Sequence, residues 1–144
     1  MPDSRPALED EVVEPADRRW RAAILYARLA LGAAFLSAVA SRLGLWGDGT
    51  WTGFLAYTAE VNSFAPASAI PALAVLATVA ELSLGLALVV GFQLARTALA
   101  ASVLLAVFGI AMAISLGPQS PLDYSVFSAS AGALLLSSSS RRRR

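Results

Sequence analysis

Four long apolar stretches dominate the chain: Ala22 to Ser41, Ile70 to Leu94, Thr97 to Leu116, and Tyr124 to about Ser140. A soluble amphipathic helix interrupts such runs with a polar face every second turn. Here the first run carries a single charge, Arg28, the second carries only Glu81, and the other two carry none. A helix needs about twenty apolar residues to cross a bilayer core of about 30 Å. The pattern predicts an all-α membrane protein, a four-helix transmembrane bundle. The fourth stretch is the shortest. Its apolar part ends at Leu136 and is followed by Ser137 to Ser140. About seventeen residues at 1.5 Å each reach only about 26 Å, so the serines sit among headgroups or face the bundle. There they can bond back to helix carbonyls.

The connection from Leu43 to Ala69 is long for so small a protein. It opens with the turn-forming cluster Trp46-Gly47-Asp48-Gly49 and ends at Pro66 and Pro71. Between them, Trp51, Phe54, Leu55 and Val61 fall at helical spacing, which predicts a short interfacial helix in this first outer loop. Trp46, Trp51, Tyr57 and Phe64 would form an aromatic belt at the headgroups. The alternative role is a cap over an outward-facing cavity between helices.

Composition narrows the class. Hydrophobic residues make up 57% of the chain and charged residues 15%, an excess that excludes an ordinary soluble domain. One transmembrane domain over residues 22–140 is expected, with a disordered acidic tail over 1–21 and a basic tail over 141–144. Arginines precede the first span (Arg5, Arg18, Arg19, Arg21), separate the second from the third (Arg96) and close the chain. The other two connections hold no Arg or Lys, so the positive-inside rule puts both termini in the cytoplasm, and the expected location is a bacterial cytoplasmic membrane. Ala38-Val39-Ala40 has the look of a cleavage site, but the acid-rich leader and Arg28 favour an uncleaved first span.

Cysteine and histidine are both absent. Thiol–disulfide chemistry is thereby excluded, and so are the usual ligand sets for zinc, copper and iron–sulfur clusters. No metal site is expected. If the chain serves redox chemistry, the redox centre is a diffusible quinone or belongs to another subunit. The chain is therefore not expected to be an autonomous enzyme.

Arg28-Leu29-Ala30-Leu31-Gly32 with Phe35 and Arg42, then Ala80-Glu81-Leu82 through Gly85 to Gly91 with Arg96, resemble the first- and second-helix patterns of the DoxX family. Pro121 to Ser128 is similar to one branch of it, and the resemblance spans residues 22–137. Arg42 stands where lysine or a glutamine-like residue is common in that family. The resemblance implies a small four-helix membrane protein. Some members are subunits of thiosulfate–quinone oxidoreductase and others partner redox enzymes, while members with thiol or metal roles would need the Cys or His missing here.

Charges inside a bilayer are costly and face protein or water. Counted from the span ends, Arg28 lies about 9 Å deep and Glu81 about 15 Å, within reach of one arginine side chain. A buried Arg28–Glu81 pair is the expected arrangement, with Thr78 beside it. Arg42, Glu60 and Asp123, with Tyr124, are expected to form a second cluster at the outer rim. Ala77 and Gly85 flank Glu81 at four residues either side, and with Gly32 they form the small-residue contact between the first two spans. Alternatively, an acid with no cation beside it would be neutral, free to bond a quinone carbonyl or exchange a proton.

Three functions follow: an accessory or scaffold subunit of a membrane redox assembly, a quinone-site subunit using Glu81 and Arg28, or a small proton-coupled exporter. Expected partners are the lipid bilayer, a redox-enzyme subunit and further copies of the chain in a homo-oligomer, but not nucleic acid.

Overall fold

The computed structural model of the chain describes residues 15–141, whose regular structure is all helical. The helices are α1 Pro15–Arg42, α2 Trp51–Val61, α3 Ile70–Val90, α4 Leu94–Leu116, α5 Gln119–Asp123 and α6 Val126–Arg141, with a 3-10 turn over Ala67–Ala69 leading into α3. α1, α3 (with that turn) and α4 are long and apolar enough to cross a membrane, which marks an integral membrane protein. α6 is apolar but shorter.

α1 begins seven residues before the expected boundary, so residues 15–21 are helical and not part of an unstructured tail. Pro15 suits a first helical turn, Asp17 complements the helix dipole there, and Ala16, Arg18, Arg19 and Arg21 are strong helix formers. The rest of that tail and the end of the basic one lie outside the described residues. The other end of α1 closes as a Schellman motif. Gly44 takes a left-handed φ of 69°, its N–H donates to Ser41 O at 3.0 Å, and the Leu45 N–H donates to Ala40 O at 2.9 Å. That closure makes Arg42 the last residue of the helix.

α3 is one turn shorter than its apolar run. Gly91 stops it in the left-handed region at φ 82°, with its N–H bonded to Ala87 O at 2.8 Å.

α1 and α3 pack antiparallel along a seam of small residues. A Cβ on Gly32 would come within 2.7 Å of Val89 Cγ2 and 3.0 Å of Gly85 O, and one on Gly85 would meet Leu36 at 3.0 Å. Helices in lipid gain little from apolar transfer and associate through such close packing. α4 and α6 make the most extensive helix pairing, again through small residues: Ala98, Ala101 and Ser102 against Ser130, Ala133 and Ser137. Ser130 Oγ donates to Ser102 O at 2.8 Å and Ser137 Oγ to Ala95 O at 2.7 Å. Ser138 bonds back to Leu134 O, and Ser139 and Ser140 to Leu136 O, so none of the late serines leaves its hydroxyl without an acceptor. Phe35, Leu88 and Leu136 complete this core, and a second cluster of Val61, Ala111 and Met112 lies where α2 meets α4.

Candidate functional site

Arg42 and Glu81 meet between α1 and α3. Arg42 Nη1 lies 2.7 Å from Glu81 Oε2, and the two side chains are 13% and 5% exposed. This corrects the expected Arg28–Glu81 pair. In the antiparallel register Gly32 faces Gly85, Arg42 faces Thr78, and Arg28 packs beside Gly91. From Gly91 back to Glu81 is ten residues, about 15 Å along the axis, and too far for Arg28. The depth estimate failed because it took the apolar runs as flush, whereas α1 reaches farther at both ends and α3 stops at Val90. Arg28 is half-buried at the C-terminal end of α3, where the helix dipole favours a cation, and its Nε is buried without a hydrogen-bond partner.

The Arg42 guanidinium has three neighbours. Besides Glu81, Nη1 donates to Thr78 Oγ1 at 3.3 Å, and Cζ sits 3.7 Å from the centroid of the Phe54 ring. Thr78 in turn donates to Ala74 O at 2.8 Å, which fixes its lone pairs toward Arg42. A cation over an aromatic face gains about 0.5–2 kcal/mol, more when desolvated. Arg42 therefore joins α1, α2 and α3 through one side chain.

α2 is held over this pair by its own local chemistry. Thr50 caps it, its Oγ1 accepting from the Gly53 N–H at 3.1 Å. Thr58 Oγ1 donates to Phe54 O at 2.7 Å and Asn62 Nδ2 to Thr58 O at 2.9 Å, closing the helix. Gly49 packs so tightly on the Ser41 backbone that a Cβ would stand 2.6 Å from Ser41 O, which ties the start of α2 to the end of α1.

Under α2 lies a cavity of about 260 Å³. α2 contributes Phe54, Tyr57, Thr58, Val61 and Asn62, α3 contributes Leu73, Ala77 and Glu81, and α4 contributes Leu105, Phe108 and Met112. Arg42 completes the lining from α1. The walls are mostly apolar and the charged pair stands on one side. α2 thus covers a cavity between helices. Glu81 is not fully satisfied there. Nη1 approaches Oε2 off the hydrogen-bonding direction, so Oε2 is buried with no aligned donor, and no described side chain donates to Oε1.

The expected rim cluster does not assemble around Arg42. Among the described residues, neither Glu60 nor Asp123 forms an ion pair with it, because Arg42 turns inward to Glu81. Glu60 and Tyr124 instead flank Tyr57: burial pushes its phenol above the ordinary 10.0, and Tyr124 and then Glu60 add to the shift. Gly32 and Gly85 form the α1–α3 contact, whereas Ala77 lines the cavity. Sequence reasoning placed Arg42 in the wrong cluster and missed Phe54 and the α4 wall. An antiparallel count from Gly32 against Gly85 would have found Arg42. Among the described residues no group of acids could hold a metal ion.

No family model matches the chain, and neither a curated protein nor a solved structure does.

Proposed function

We propose that this chain is a DoxX-like membrane subunit that holds a small, mostly apolar ligand in the cavity beneath α2, within a membrane redox assembly that supplies the electron chemistry. The observation that carries this reading is Glu81, a buried carboxylate paired with Arg42 on the wall of a mostly apolar cavity. Apolar walls with a few convergent polar groups are the usual make-up of a small-molecule site. At about 260 Å³ the space suits a ring-sized headgroup and not a whole drug-sized molecule. A quinone headgroup is the class the family resemblance suggests, with Arg42 now in the role first given to Arg28. In this reading α6 is the fourth span, α2 lies at the outer interface, and both termini are cytoplasmic, an orientation that the arginine distribution supports.

The test is purification from native membranes followed by solvent extraction and mass spectrometry. A lipophile should be recovered with the wild-type chain and lost from Ala77→Phe, which fills the cavity. Equal recovery from both would refute the site. A redox enzyme co-eluting with protein that carries no lipophile would favour the plain scaffold. A proton-coupled exporter would need Glu81 free of Arg42, so substrate-driven proton movement surviving in Arg42→Leu would favour that reading.

A further inference from the structure

α3 and α4 are joined only by the turn Gly91 to Gln93, yet they touch far less than α1 with α3 or α4 with α6. Their seam is open as a groove of about 550 Å³. Ala80 and Leu84 line it from α3, and Leu99, Ala100, Val103 and Leu104 from α4. Arg96 stands at one end and Val107 at the other. These two are eleven residues apart, about 16 Å of helix, which is half of a bilayer core of about 30 Å. That is the reach of one lipid chain from its headgroup to the middle of the membrane.

Charge separates the two ends of the bundle. At the α3–α4 turn stand Arg96, its Nη1 donating to Gln93 Oε1 at 3.1 Å, and Arg28 beside Gly91. Among the described residues neither is paired with an acid. Asp48, Glu60 and Asp123 lie toward the opposite end, and Glu81 is taken by Arg42. Asp17 is eleven residues of α1, about 16 Å, beyond Arg28. Arg96 also occupies the first turn of α4, where the helix dipole disfavours a cation, so its own helix does not account for it. The geometry points to a site for an anionic phospholipid, with its phosphate on Arg96 and one acyl chain in the α3–α4 groove.

A chain already in lipid gains little by moving onto an apolar wall, so the groove alone selects nothing. Selection comes from the guanidinium, whose planar fork meets a phosphate with paired hydrogen bonds and opposite charge. A zwitterionic lipid offers the same phosphate but brings its own cation to compete with Arg96. Anionic lipid is therefore preferred, and the preference needs no ligand in the cavity beneath α2.

The experiment places the full chain in nanodiscs with a photoreactive phosphatidylglycerol, or with the phosphatidylcholine of identical chains, each carrying a diazirine near the end of one acyl chain. After irradiation the labelled peptides are mapped by mass spectrometry. Phosphatidylglycerol should label the segments around Ala80 and Val107 above the other apolar helix faces. It should exceed phosphatidylcholine there by about fivefold, the worth of one arginine at an anionic lipid surface. Arg96→Gln should erase that ratio, which is taken within each variant and so does not depend on its yield. Ala100→Phe, at an exposed position, should displace the label from the groove. Equal labelling by the two lipids, or a ratio unchanged in Arg96→Gln, would overturn the headgroup site. Label spread evenly over all helices, or retained in Ala100→Phe, would overturn the groove.

Discussion

The last residue of α1, Arg42, reaches the middle of α3 to place its Nη1 2.7 Å from Glu81 Oε2. Two charges that would each be costly in lipid are thereby merged into one neutral unit. Phe54 covers the guanidinium from the α2 side at 3.7 Å, so the pair also anchors the helix that closes the cavity. Removing one partner is far worse than removing both, because the survivor is left buried and uncompensated.

Arg42→Leu should lower stability by about 3–5 kcal/mol, as expected for breaking a buried pair. Arg42→Lys should fall between it and the wild type, since an ammonium keeps the charge for Glu81 but lacks the planar guanidinium that lies over Phe54. Arg28→Leu should cost only about 0.3–1 kcal/mol, the value of a cation near a helix C-terminus. Thermal unfolding in detergent, followed by size-exclusion chromatography, orders the three. Arg28→Leu as damaging as Arg42→Leu would contradict the assigned roles.

Phe54→Leu keeps the bulk of the side chain but removes the aromatic face. The loss of cation–π attraction, about 0.5–2 kcal/mol, should loosen α2 more than the rest of the fold. Hydrogen exchange should therefore quicken over residues 51–61 while the buried α4–α6 pairing stays protected. Uniform loosening of all helices would show that Phe54 is merely core.

Gly32→Leu should drive α1 and α3 apart, because even a Cβ there stands 2.7 Å from Val89 Cγ2. Overpacking of this kind costs about 1–3 kcal/mol in well-packed interiors. Ala34→Leu, at an exposed position of the same helix, is the control. A disulfide between cysteines introduced at 36 and 85 should form readily in the parent and poorly in Gly32→Leu.

How much of this was legible in the sequence varies by element. The apolar runs located the three long helices, and Trp51, Phe54, Leu55 and Val61 located α2 from spacing alone. Glu81 stood out as a lone buried acid. Its partner did not, because partner choice depends on helix register, and register here is set by a steric fit between Gly32 and Gly85. Apolar run lengths report where a helix can sit in lipid, not where it starts or stops. The Gly32–Gly85 fit puts Arg28 beside Gly91 and brings Arg42 to Glu81. The cavity is less legible still, since Leu105, Phe108 and Met112 read from sequence as ordinary lipid- or core-facing residues of α4.

Tyr57 gives a pH signature. Burial, with Tyr124 and Glu60, raises its phenol in the folded state above the ordinary 10.0. The native protein therefore holds that proton more firmly than the unfolded chain does. Its contribution is fully present below the unfolded value and is lost as pH rises through the folded one. Phenolate absorbance should show one tyrosine titrating late, and Tyr57→Phe should remove that late component. If the late component persists in Tyr57→Phe, the assignment is wrong.

The most direct test of the account is a double-mutant cycle between positions 42 and 81, both changed to leucine, with 28 and 81 as the parallel cycle. Stability is read as unfolding in detergent micelles. The pair seen here predicts that Arg42→Leu and Glu81→Leu are each severely destabilising and that the double variant recovers most of the loss, a coupling of about 2 kcal/mol or more. The 28–81 cycle should be additive to within about 0.5 kcal/mol. Additivity at 42–81, or strong coupling at 28–81, would contradict the pairing on which the proposed site is built.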